Sequence, residues 1–152
     1  MPTRRHLIQH AATVAAALAG LGLLPGAAQA AWSRAAFEAN SLAEALQALG
    51  VAAPVDSREV TITGPEIAEN GAAVPVTIGA TAPGVKRLLL LVEKNPATLT
   101  ALFEPGEAVE PNFQLRIKMA ESSNVYAVAL LADGRVLYAR REIRVTLGGC
   151  GE

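Results

Sequence analysis

Cysteine and histidine are nearly missing from this sequence. Its 152 residues include one cysteine, Cys150, and two histidines, His6 and His10. Histidine is the usual base that activates a serine or cysteine nucleophile, and it is also the commonest metal ligand. None occurs after residue 10, so Ser-His-Asp, Cys-His and histidine-based metal sites are excluded from the rest of the chain. A structural zinc site would need several Cys or His ligands, and a calcium site would need an Asp-rich loop. Asp56 and Asp133 stand alone. No cofactor is implied, and a lone cysteine has no partner in the chain for a disulfide.

A membrane-spanning run is also missing. The apolar stretch from about Ala11 to Leu24 falls short of the roughly 20 residues that a bilayer requires. It is preceded by Arg4 and Arg5 and followed by Pro25, Gly26 and "AQA". That order of charged region, short apolar region and small-residue cleavage site reads as an export signal over residues 1–30, removed between Ala30 and Ala31. Thr3, Arg4, Arg5, Leu7 and Ile8 resemble the twin-arginine pattern, which implies folded export to the periplasm. The general secretory route is the alternative that the same features allow.

Excess charge is absent as well. Arg4 and Arg5 are the only charged side chains of residues 1–30, so the remainder carries 11 Lys+Arg against 14 Asp+Glu, a net charge of −3. That balance gives no electrostatic reason to invoke nucleic acid or an anionic membrane surface.

What is present reads as one domain over residues 31–147. In "SRAAFEANSLAEALQALG" the apolar residues Phe37, Leu42, Ala45, Leu46 and Leu49 recur at helical spacing. Ser41 and Glu44 stand at the offset of a capping box, and Gly50 closes the end. From Val51 onward the texture changes to short β-rich runs cut by Pro, Gly and Asn. Val60 and Ile62 alternate with polar neighbours, as do Val74, Val76 and Ile78 around Pro75, which marks that run as an edge strand or a bulge. Phe113, Leu115, Ile117 and Met119 alternate with Gln114, Arg116 and Lys118. Asp133-Gly134 predicts a hairpin between two long strands. In the second of these the apolar parity slips from even (Val136, Tyr138) to odd (Ile143, Val145, Leu147), so a bulge is expected near Arg140-Arg141.

With "TALFE" between Thr100 and Glu104, the count reaches about seven strands. That predicts an all-β, immunoglobulin-like antiparallel β-sandwich with a short N-terminal helix. Leu88 to Val92 and Val125 to Leu131 are apolar at both parities. A second layer must therefore cover one sheet, either the helix or a partner subunit.

Residues 148–152 read as a flexible glycine-rich arm. Gly148 and Gly149 precede Cys150, and Gly151 follows it. Glycines have no side chains to block a narrow channel, and five extended residues reach about 17 Å. The arm would carry its thiol into the cleft of another protein. Glu152 and the terminal carboxylate disfavour the thiolate, and no cation lies in the tail to offset them. Activation would have to come from a partner. An intermolecular disulfide is the competing use for such a cysteine, in an exported interaction module of immunoglobulin type.

The ending "LGGCG", together with "IAENGAAVPVTI", "VEKNP", "KMAESSNVYAV" and "ADGRVLYARREIRVTLGGCG", resembles the SoxY family of the bacterial thiosulfate-oxidising system. The resemblance runs through the chain beyond the signal. It implies an immunoglobulin-like subunit paired with SoxZ, not an enzyme by itself, which holds sulfur intermediates covalently on Cys150. Gly148, Gly149 and Gly151 would form the arm. It implies that a haem-containing SoxAX complex couples thiosulfate to the thiol, that a manganese hydrolase, SoxB, releases sulfate and leaves a persulfide, and that in some systems a sulfane dehydrogenase acts afterwards. Where the family commonly has two glycines after the cysteine, this chain has Gly151 and Glu152, which places a carboxylate beside an anionic cargo.

Overall fold

Leu88, Leu89, Leu90, Leu91 and Val92 are all fully buried, although neighbours along a strand point to opposite faces. A strand buried on both faces needs a layer on each side. The computed structural model, which describes residues 34–149, supplies both layers.

Two helices come first, α1 (Arg34–Glu38) and α2 (Leu42–Ala48). Nine strands follow: β1 (Val55–Asp56), β2 (Val60–Thr63), β3 (Ile67–Asn70), β4 (Val74–Ala80), β5 (Val85–Val92), β6 (Leu99–Phe103), β7 (Asn112–Ile117), β8 (Ser123–Leu131) and β9 (Val136–Leu147). The larger sheet has the order β1-β9-β8-β5-β6, with β3 also paired to β9, and the smaller sheet has the order β2-β4-β7. The sandwich is therefore all-β in its layers, with nine strands among the described residues where about seven were expected. The additional ones are short pieces, β1 and β3, which lie parallel to β9 at separate stretches of its edge. Between them the chain crosses to the smaller sheet to form β2.

Two cores follow from this arrangement. Between the sheets, Leu88, Leu90 and Val92 of β5 and Val125, Ala127 and Ala129 of β8 meet Val74, Val76 and Ile78 of β4 and Ile117 of β7. On the outer face of the larger sheet, Leu89, Leu91, Tyr126, Val128 and Val136 pack with Ala36, Ala45 and Leu46 of the helical segment. Phe37, Leu42 and Leu49 close that cluster, so the apolar stripe read from the sequence is the face that covers the sheet. At the far edges Phe103 and Phe113 stack with ring centroids 4.2 Å apart, joining β6 of one sheet to β7 of the other.

Local signals explain the helix boundaries. The Ser41 hydroxyl accepts from the Glu44 N–H at 3.2 Å, and the Glu44 carboxylate accepts from the Asn40 N–H at 3.0 Å. This capping box is shifted by one residue on its return bond. At the other end Gly50 has φ 66°. Its N–H donates to the Gln47 carbonyl and that of Val51 to the Leu46 carbonyl, the paired bonds of a Schellman stop.

Two sequence expectations are corrected. β9 has no bulge at Arg140-Arg141: its register with β8 is continuous from Ser123↔Ile143 to Leu130↔Val136. The parity slip has another cause, because the two faces of β9 belong to different cores. Val136 and Tyr138 face the helices, whereas Leu137, Ala139, Ile143 and Val145 face the other sheet. Arg141 takes the interrupted position in that inner row, half-buried, with its Nε shielded from solvent and unpaired. Pro75, in turn, is not in an edge strand, since β4 is the central strand of its sheet. It lies beyond Thr63↔Thr77, the last pair of β2 with β4, so β4 is locally an edge there and the missing N–H is tolerated.

The predicted hairpin between β8 and β9 turns at Asp133-Gly134, with Gly134 at φ 89°. The Asp133 carboxylate accepts from the Arg135 N–H at 3.0 Å and from its guanidinium at 2.8 Å. These bonds, the backbone one foremost, hold the Asp133 carboxyl below the usual range. A carboxyl with a lowered folded value stabilises above its unfolded value near 3.9 and loses that contribution as pH falls through the folded value. An Asp133→Ala protein is expected to melt below wild type at neutral pH, with the gap closing as pH falls below the unfolded carboxyl value near 3.9. Melting curves between pH 2 and 7 test this, and a gap independent of pH would refute it.

Candidate functional site

β9 is the longest strand, and it leads directly to the tail. Its ladder with β8 ends at Ile143↔Ser123, four residues before the strand does. From there β3 supports one side, through Ala68↔Val145 and Asn70↔Leu147. On the other side the Ser122 hydroxyl stands in for the missing strand. It accepts from the Val145 N–H at 2.8 Å and donates to the Val145 carbonyl at 3.4 Å.

Beyond Leu147 the chain remains bonded to the body. The Gly71 N–H donates to the Leu147 carbonyl at 2.7 Å, and the Gly149 N–H donates to the Met119 carbonyl at 2.9 Å. The two supporting turns are bonded to each other, Met119 N–H to the Gly71 carbonyl at 2.8 Å. Close approach makes glycine necessary here. A Cβ on Gly148 would strike the Ala120 carbonyl, and one on Gly149 would strike the backbone of Gly71 and Ala72. The expected arm of residues 148–152 therefore begins with two residues that lie against the 71–72 and 119–120 turns. Cys150 and Gly151, the other predicted site residues, and Glu152 lie outside the described residues, as does the predicted signal of residues 1–30.

Sequence reasoning missed Gly71, Asn95 and Ser122. A glycine following Asn70 could have been read as a turn, but nothing local signals that residue 149 returns to it. The Asn95 side chain holds the second turn, donating to the Lys118 carbonyl at 2.8 Å and accepting from the Ala120 N–H at 2.9 Å. Nearby, Lys94 and Glu121 pair at 3.3 Å, both well exposed, and contribute little.

Among the described residues no three His, Cys, Asp or Glu side chains gather as a metal site would require. An apolar hollow of about 360 Å³ is lined by Leu42, Leu46, Val51 and Pro54 beside α2, and the tail root does not line it. The arrangement holds the base of a thiol-bearing tail.

The comparisons with known proteins concern this same region. A family model described as sulfur oxidation protein SoxY matches residues 45–150, ending on Cys150 itself. Among solved structures, the sulfur carrier protein SoxY from Chlorobium limicola f thiosulfatophilum is 33% identical and superposes with a TM-score of 0.63, covering 70% of this chain and 97% of that one. A superoxide reductase (neelaredoxin) from Ignicoccus hospitalis is 18% identical with a TM-score of 0.48, covering 57% of this chain and 78% of that one. Fibronectin(III)-like modules of Clostridium thermocellum CbhA are 21% identical with a TM-score of 0.42, covering 57% and 93%. Neither of these two bears on the chemistry. Curated protein sequences give no match. A match over most of the chain that includes the tail, and a relative that shares a third of its residues across nearly its whole length, lead to one conclusion: this chain belongs to the SoxY family of sulfur oxidation proteins.

Proposed function

We propose that the protein is a covalent sulfur carrier, with Cys150 as the attachment point for intermediates of thiosulfate oxidation. The observation that carries this reading is the family match through Cys150, the sole cysteine of the chain. It is supported by a fold that holds the tail's base against the 71–72 and 119–120 turns.

The chemistry requires partners. Joining the thiol to thiosulfate gives a cysteine S-thiosulfonate and releases one proton and two electrons, which a haem complex of the SoxAX type would accept. Hydrolysis of the terminal sulfonate consumes one water, releases sulfate and leaves a persulfide on Cys150. A manganese hydrolase of the SoxB type would carry out that step. A SoxZ-type subunit would form the heterodimer, and a sulfane dehydrogenase would oxidise the remaining sulfur where one is present. The compartment is the periplasm, reached through the twin-arginine-type signal of residues 1–30.

Intact mass of the protein isolated from thiosulfate-oxidising cells, before and after a thiol reductant, tests the proposal. Reducible additions of one sulfur atom or of thiosulfate are expected on the C-terminal peptide. Finding only a disulfide-linked dimer or a free thiol would instead favour a cross-linking module.

A further inference from the structure

Gly71, Gly148 and Gly149 meet where no side chain fits. A Cβ on Gly71 would strike the Met119 carbonyl and come within 2.8 Å of the Gly149 nitrogen. The backbone bonds at this point form a closed circuit: Gly71 donates to Leu147 and accepts from Met119, and Met119 in turn accepts from Gly149. Each strut is tied to the sandwich. Met119 is fully buried, Asn95 brackets it through Lys118 and Ala120, and the Asn70 carboxamide accepts from the Ala72 N–H at 2.8 Å to shape the other turn.

We infer that Gly71 and Asn95 are positioning residues for the Cys150 thiol: Gly71 holds Leu147 and leaves room for Gly149, Asn95 shapes the turn whose Met119 carbonyl bonds Gly149, and this clasp sets how far the thiol reaches. The role of the thiol rests on the carrier reading above, whereas the clasp does not depend on it. Consecutive Cα atoms lie 3.8 Å apart, and a cysteine side chain adds nearly 3 Å. With Gly149 held, the thiol stays within about 7 Å of that residue's Cα. Release back to Leu147 would add two residues and about 7 Å more. A doubled radius is about an eightfold larger volume, which dilutes the thiol at any one docking position by that factor. The two glycines before the cysteine thus answer to the carrier's own body, and an enzyme receiving the thiol must approach the rim formed by the 71–72 and 119–120 turns.

Hydrogen exchange and spin labelling test the clasp without any sulfur chemistry. In the wild-type protein the Gly149 amide is expected to be protected. In Gly71→Ala that protection falls about tenfold, the effect of one lost hydrogen bond, while the amides of β8 are unchanged. A nitroxide on Cys150, measured against a second on a Gln114→Cys background, is expected to give a distance distribution that is narrow with Gly71 and broader with Gly71→Ala. Thiosulfate consumption by cells carrying the variant as sole copy falls about eightfold, whereas alkylation of Cys150 by iodoacetamide stays within about twofold of wild type. Should Gly71→Ala fail to fold, Asn95→Ala loosens the same clasp from a surface position and is expected to move each readout in the same direction. A wild-type Gly149 amide that exchanges at the unprotected rate would overturn the inference. So would variants that lose protection yet keep wild-type thiosulfate consumption. Absence of sulfur on wild-type Cys150 would refute the carrier reading and leave the exchange result standing.

Discussion

A Cys150→Ser protein is expected to fold, to melt at the wild-type temperature and to hold no sulfur. The first two outcomes follow from the tail's attachment, because the bonds that hold its base use the backbone of Leu147 and Gly149. The third follows from chemistry. A serine hydroxyl ionises far above physiological pH, and its oxygen does not form a bond to sulfur that survives in water as a disulfide does. No substitute thiol exists, since residues 31–152 contain no other cysteine. Met119, a thioether, is fully buried and has no proton to lose. The loss should be complete, to the background of a strain lacking the gene. Thiosulfate-dependent oxygen uptake, with the variant's melting curve and partner binding as controls, makes the measurement. Uptake at the wild-type rate would refute the carrier proposal for this chain.

The lack of histidine-based and multi-cysteine sites beyond residue 10 is legible at once, because it depends on composition alone. A single cysteine and the loss of histidine beyond residue 10 exclude most catalytic apparatus without any geometry. The helix caps were legible for a related reason, since Ser41, Glu44 and Gly50 act within a few residues of one another. The hairpin at Asp133-Gly134 was equally local. What could not be read depends on long-range approach. The clasp joins residues 71, 119 and 149, which are separated by dozens of positions, and glycine at 148 and 149 looks the same in sequence whether it serves freedom or contact. β9 misled for a physical reason of the same kind. Apolar residues at both parities imply a bulge in a strand with one buried face, but no bulge is needed in a strand whose two faces enter different cores.

That two-core arrangement makes a second large effect testable at adjacent residues. Leu90 packs between the sheets and Leu89 packs toward the helices, and both are fully buried. Truncating a buried leucine removes its transfer free energy and leaves a cavity, for a total of about 3 kcal/mol. In a domain of this size that corresponds to a fall of about 10 °C or more in Tm. Leu90→Ala and Leu89→Ala are each expected to lose this much in urea or thermal unfolding. A sandwich without a helical layer would leave Leu89 at the surface, where truncation shifts stability by no more than about 0.5 kcal/mol. A nearly silent Leu89→Ala beside a costly Leu90→Ala would therefore remove α1 and α2 from the fold. Two comparable losses would establish that the helices complete the domain, so that the sheet whose β9 strand bears the tail is fixed from both sides.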